Sequence, residues 1–170
     1  MRKYILTVIL ASVFGISAYC QSSATKYQAL FMYNFTRYIE WPSSSSAGEF
    51  VIGVLGNGSI TSDLTELTTG KFVGSQKITV KQFANISDIS NCHLLFVNRS
   101  FINQFGDILT KFSGKNTLMV TDKPGMVEKG AGINFVIDDG KQRFEVNRNA
   151  IEKSGLKISS KLLDMAVAAN

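Results

Sequence analysis

FVIGVLGNGSI, residues 50–60, decides the fold. Phe50 to Leu55 is an apolar run of strand length and reads as a buried strand. Gly56-Asn57-Gly58 follows as a turn, and Ser59 stands where a helix cap belongs. Ile60, Leu64 and Leu67 then recur on one side of a helix that ends at Gly70. A glycine turn between strand and helix is also where a phosphate loop would sit. The third glycine of the dinucleotide pattern is missing, because Thr61 occupies its place, so an ordinary turn is favoured.

Downstream the alternation continues. Lys77 to Gln82 and His93 to Val97 read as strands. Ser100 stands as the cap of the clearest amphipathic helix, with Phe101, Ile102, Phe105, Ile108, Leu109 and Phe112 on one face until Gly114. Thr117 to Thr121 is a further strand. Ile133 to Ile137 and Arg143 to Asn147 flank Asp138-Asp139-Gly140-Lys141, and Asp-Gly supplies the backbone angles of a tight hairpin. Two short helices, around Asn149 to Ser154 and Ser159 to Ala168, close the chain. Alternation early and a hairpin late imply a single α/β domain: a mixed β-sheet with a C-terminal hairpin and helices on both faces. The Ser43 to Ser46 run reads as a flexible surface loop.

Upstream lies KYQALFMYNFTRYIEWP, residues 26–42. Tyr27, Phe31, Phe35 and Tyr38 recur at helical spacing, with Leu30 and Ile39 widening the stripe, and Pro42 ends the helix. Asn34 falls inside the stripe, where a buried amide needs a partner, so it is expected to tie the helix to a neighbouring backbone segment. Before this helix, Arg2 and Lys3 lead an uncharged run from Tyr4 to Ile16 and then small residues, the layout of a secretory signal peptide over residues 1–20. The run is shorter than the ~20 apolar residues a membrane span needs. Cleavage after Cys20 or after Ala24 both leave a soluble domain from about residue 21 onward; lipid attachment at Cys20 is the competing reading.

Losing Arg2 and Lys3 lowers the formal charge from +5 to +3. That is too mild, and the basic residues too scattered, to argue for nucleic acid. The ~150 remaining residues suffice for one core without a disulfide. Cys92 then has no partner and reads as a buried strand thiol. His93 is the only histidine, but neighbours on a strand point to opposite faces, so the two do not form a nucleophile and base. One His and one Cys do not make a zinc site. Ser154 and Lys157 match a penicillin-binding spacing by coincidence, since the companion motifs are absent. Asp138 and Asp139 are explained by the turn. No catalytic, cofactor or metal residue is assigned, and a binding protein rather than an enzyme is expected.

At this point the residues carry a resemblance. Ala29 to Phe35 through Glu40-Trp41-Pro42 resembles the opening helix of the YfiR family of periplasmic regulators. So do Cys92 to Val97, Leu118 to Asp122, Ile133 to Val136, Arg143 to Asn147 and Gly155 to Leu163, in the same order along nearly the whole mature chain. The resemblance implies a periplasmic α/β domain that binds the sensor region of an inner-membrane diguanylate cyclase and represses cyclic-di-GMP production, with effects on biofilm. It further implies an outer-membrane lipoprotein that sequesters the repressor, and a cysteine-tuned state that this chain, with Cys92 unpaired, does not match. A homodimer stays open. Large amphipathic rings favour interaction hot spots, so Tyr33 and Trp41 are the aromatic candidates for partner contact. Arg143, Glu145 and Asn147 alternate outward if Phe144 and Val146 point inward, and with Lys157 beside the last helix they are the polar candidates for partner contact, a rim or else a solvated face. The alternative is a small-ligand receptor, or an accessory of a membrane histidine kinase, using the crevice where the Gly56 to Ser59 turn and the Asp122 to Gly132 loop meet.

Overall fold

The computed structural model describes residues 24–169; the signal peptide expected over residues 1–20, with Cys20, lies outside them. Helix α1 covers residues 24–38. It is followed by β1 (Ile39–Glu40), β2 (Phe50–Leu55), α2 (Ile60–Thr68), β3 (Phe72–Val73), β4 (Gln76–Phe83), β5 (Leu94–Val97) and α3 (Phe105–Lys111). Then come β6 (Leu118–Thr121), β7 (Ile133–Asp138), β8 (Lys141–Val146), α4 (Arg148–Lys153), β9 (Lys157–Ile158), α5 (Ser160–Met165) and β10 (Ala168–Ala169).

The main sheet runs β10-β8-β7-β6-β5-β2-β4-β3. β2 pairs in parallel with both β4 and β5, and β5, β6 and β7 continue in parallel. The hairpin adds β8 antiparallel to β7, with Asp138 opposite Lys141. Asp139 and Gly140 both take positive φ, 48° and 70°, the signature of the tight turn that Asp-Gly permits. The expected mixed sheet is therefore present.

Right-handed crossovers decide which face each helix covers. From β2 the chain moves one way to β4 through α2, and from β5 it moves the other way to β6 through α3. The two helices must lie on opposite faces. Accordingly Ile60 and Leu64 pack with Phe50, Ile52 and Val54, while Phe105 and Ile108 pack with Val51, Leu55 and Val97. α1 joins α2 on the first face, where Phe35 lies 5.9 Å from Phe135 and 5.1 Å from Phe144 between ring centroids.

Several local expectations are corrected. α1 buries Ala29, Met32, Phe35 and Thr36, so the core stripe is rotated away from Tyr27 and Leu30, which are exposed. Asn34 is half-buried; the buried polar groups of α1 are Gln28 and Thr36, and the Thr36 hydroxyl donates back to the Tyr33 carbonyl at 2.7 Å. The helix ends at residue 38, before Trp41-Pro42, because Ile39 and Glu40 turn extended to pair with β9. Ser59 has helical backbone angles and makes no side-chain cap; its hydroxyl donates to Thr25 instead. Asn98, not Ser100, caps the next segment by accepting from the Ser100 N–H, and its first turns, Arg99–Gln104, are 3₁₀. The last helix stops at Met165, and residues 168–169 add a parallel edge strand beside β8. Ser43–Ser45 is a 3₁₀ turn held against the sheet rather than a loose loop, since Gln76 Nε2 donates to the Ser45 and Ala47 carbonyls.

Candidate functional site

The six candidate contact residues fall into two groups on different parts of the domain. The first group, Tyr33, Trp41 and Lys157, belongs to the second half of α1 and the ribbon that ends it. In that ribbon β1 and β9 pair antiparallel, Ile39 opposite Ile158 and Glu40 opposite Lys157, and the Ser159 N–H donates to the Tyr38 carbonyl at 2.9 Å. Lys157 Nζ donates to Glu40 Oε1 at 3.0 Å. Both side chains are largely exposed, so the pair stabilises the fold by at most about 1 kcal/mol and its charges remain open to a partner. Tyr33 is half-buried, with the Arg37 guanidinium 5.6 Å from its ring centroid.

Trp41 lies edge-on to Phe50, centroids 4.9 Å apart at 88°, and its Nε1 donates to the His93 carbonyl at 3.1 Å. The ring is half-buried, packed on one side and reachable on the other. His93 itself is tightly held. The Val51 N–H donates to Nδ1 at 3.0 Å, and Nε2 lies 2.8 Å from the Ser45 carbonyl. Those partners assign the tautomer: a backbone N–H only donates, so Nδ1 accepts and Nε2 carries the hydrogen. Cys92 points the other way, into the core of the opposite face, where burial pushes its thiol up to about 12. It is a free cysteine. At neutral pH it stays a thiol, and the thiolate is the reactive form.

The second group lies on β8. Phe144 and Val146 enter the core, as the alternation requires. Arg143 is exposed. Glu145 is half-buried and ends a polar chain that crosses three strands: Thr121 Oγ1 donates to Asn134 Oδ1 at 2.7 Å, and Asn134 Nδ2 donates to Glu145 Oε2 at 3.2 Å. Thr121 and Asn134 are fully buried, so the chain satisfies them and orients the carboxylate. Asn147 spends its amide on the fold, accepting from the Ala150 N–H and donating to the Val127 carbonyl, both at 2.8 Å. Sequence reading missed the Thr121–Asn134–Glu145 chain. The signal was present, because the Asp-Gly turn fixes a register that sets Asn134 opposite Glu145.

Glu145 also lines a crevice of about 1250 Å³ at the carboxyl ends of the strands. Asn57, Ser59, Arg99 and Asp122 line it too, with Phe96 and Phe135 as apolar surface. The Gly56 to Ser59 turn and the start of the Asp122 loop therefore do meet. β2 is the topological switch point, since chain continuity leaves it in both directions, and ligand sites of open α/β sheets form there. Arg99 Nη2 donates to the Asp122 carbonyl at 2.7 Å and Nε to its carboxylate at 3.2 Å. Burial pushes the Asp122 carboxyl above the ordinary carboxylate range, against the opposing pull of the Arg99 guanidinium. Among the described residues no group of three or more His, Cys, Asp or Glu side chains is placed to hold a metal ion. None of the described helices is long and apolar enough to cross a membrane.

A parallel-centred sheet with an open crevice at its switch point and an exposed ribbon at its flank defines a small α/β domain. The chain belongs to the YfiR/HmsC-like family, whose model matches residues 25–167. Proteins of that family are periplasmic regulators of diguanylate cyclase signalling. No curated protein matches this chain. Among solved structures it is similar to an ABC domain from Streptococcus pneumoniae in complex with L-Trp, 16% identical with a TM-score of 0.50. It is also similar to a conserved domain protein from Vibrio cholerae O1 biovar El Tor, 15% identical with a TM-score of 0.50. Each match covers 71% of this chain and 55% of the other, so the chain spans little more than half the length of either, and the likeness is one of fold.

Proposed function

We propose that this protein binds the periplasmic sensor region of an inner-membrane diguanylate cyclase and holds the enzyme inactive. The observation that carries the reading is the β1–β9 ribbon, which brings Lys157 to Glu40 and Trp41 at the end of α1 although it lies far from them in sequence. An aromatic ring packed on one side only, bordered by open charges, has the makeup of an interaction hot spot with a polar rim. Tyr33 and Arg37 extend that face along α1, and Arg143 is a further candidate on β8. A leader cleaved near residue 20 delivers the domain to the periplasm, and an outer-membrane lipoprotein that competes for the same face is the expected route of release.

The test is genetic. Deleting the gene should raise cyclic-di-GMP, and the rise should vanish when the partner cyclase is also removed. An unchanged level in the single deletion overturns the repressor reading. A Lys157→Glu variant, which folds because its native partner is a solvent-exposed ion pair, should reproduce part of the deletion phenotype.

The crevice supports a second reading, in which a small ligand binds and the protein acts as a sensor accessory of a membrane histidine kinase. Saturable thermal stabilisation by a metabolite, with cyclic-di-GMP unchanged on deletion, would favour it.

A further inference from the structure

His93 is placed so that its Nδ1 contact requires the uncharged ring. Nδ1 takes the Val51 N–H at 3.0 Å, and Nε2 donates to the Ser45 carbonyl at 2.8 Å. An imidazolium carries hydrogen on both nitrogens, so at Nδ1 donor would face donor. Phe50 stacks on the ring, centroids 4.4 Å apart at 19°. That contact survives protonation, and the loss falls on the Val51 bond.

The surroundings offer an imidazolium no counter-ion. Lys115 and Cys92 are the titratable groups lining the cleft around the ring, together with the neutral Ser44, Asn91 and Asn116. Cys92 stays a thiol, and Lys115 is the one charged group of that lining. From β2 the ring is met by Phe50 and Val51, and from the segment after β1 by Trp41, all uncharged.

The same contacts lead to the proposed partner face. Ser45 ends the 3₁₀ turn that follows Trp41-Pro42 directly. Trp41 shares Phe50 with the His93 ring and donates to the His93 carbonyl.

We propose that His93 is a pH-operated clip on the segment from Trp41 to Ala47. The neutral ring holds the segment against the sheet and Trp41 in its packed position. Uptake of one solvent proton at Nδ1 breaks the Val51 hydrogen bond and turns the ring, and the Ser45 carbonyl, which Nε2–H still holds, is drawn with it. Gln76 still donates to the Ser45 and Ala47 carbonyls, so the segment shifts rather than detaches. Acid thereby alters the surface Trp41 presents. The inference rests on the reading of that surface as the partner face and concerns its regulation.

His93 is the only histidine and Trp41 the only tryptophan of the chain, so each reports on one site. Tryptophan fluorescence of the purified protein is followed from about pH 8 to about pH 5, the interval in which histidines exchange their proton. A change with the shape of a single protonation is expected, and a flat response in His93→Gln, whose amide can accept from Val51 and donate to Ser45 without titrating. No change in the native protein, or the same change in His93→Gln, overturns the clip. Circular dichroism at each pH verifies that the fold persists. If His93→Gln does not fold, NMR of the native protein decides instead: the imidazole and Trp41 indole signals must move with one midpoint, and separate midpoints overturn the proposal. Binding to the partner's sensor region should weaken at least about fivefold at the acid end and stay constant in His93→Gln. Absence of binding at every pH would defeat the partner reading and leave the fluorescence result to decide the clip.

Discussion

Gly56 closes β2 with φ +102°, and a Cβ built there would stand 2.8 Å from the Cβ of Asn98. Strain at such an angle and a clash against a fixed neighbour each cost about 1–3 kcal/mol, so Gly56→Ala should lose about 2–4 kcal/mol in urea unfolding. Asp122 makes the opposite kind of prediction. Its carboxyl is raised by burial, and its Oδ1 is buried with no hydrogen-bond partner. A carboxyl whose folded-state value lies above its unfolded value stabilises the fold below the unfolded value and loses that contribution as the pH rises through the folded value. Asp122→Asn should therefore melt at a higher temperature than the native protein at pH 7. The difference should shrink as the pH falls toward the ordinary aspartate value of 3.8. Single residues were unevenly legible in the sequence. Asp139-Gly140 declared its turn because Asp-Gly is among the few pairs that take two positive φ angles readily. Ser100 and Ser59 looked like caps, but the choice among neighbouring cap residues depends on which one has extended backbone, and at the first site that is Asn98.

At the scale of elements, α1 shows why a pattern alone does not aim a helix. Leu30, Phe31, Met32, Tyr33 and Phe35 place apolar groups nearly all round its surface, so two neighbouring stripes satisfy the same periodicity. Packing chose the stripe that includes Ala29, whose small side chain permits close approach to the sheet, and left Tyr27 and Leu30 exposed. Phe35→Ala should consequently lose about 3–5 kcal/mol of stability, whereas Tyr27→Ala should stay within about 0.5 kcal/mol of the native protein in the same denaturant assay. The long strands were legible because each fills a run of apolar or alternating residues. β1, β3, β9 and β10 were not, since two residues carry no period. Trp41 illustrates the functional result of that gap. Its place on Phe50 and the His93 carbonyl follows from β1 ending α1 early, which the Trp-Pro boundary concealed.

For the molecule as a whole, sheet order explains where surfaces accumulate. β2 sends the chain both ways, leaving the crevice at the carboxyl ends, and the hairpin carries Glu145 to its wall through the buried Asn134. The candidate face at the end of α1 is assembled differently. Glu40 and Lys157 are 117 positions apart, so closing their ribbon carries a loop-closure cost that the packing of the intervening strands offsets. A chain that halts before Lys157, or loses its tail to a protease, leaves the end of α1 without its pairing strand, however well the sheet behind it has formed. If the proposed partner reads that face, the face acts as a certificate of completeness: it exists only on molecules whose chain reaches β9 and whose ribbon has closed, and truncated copies lack it.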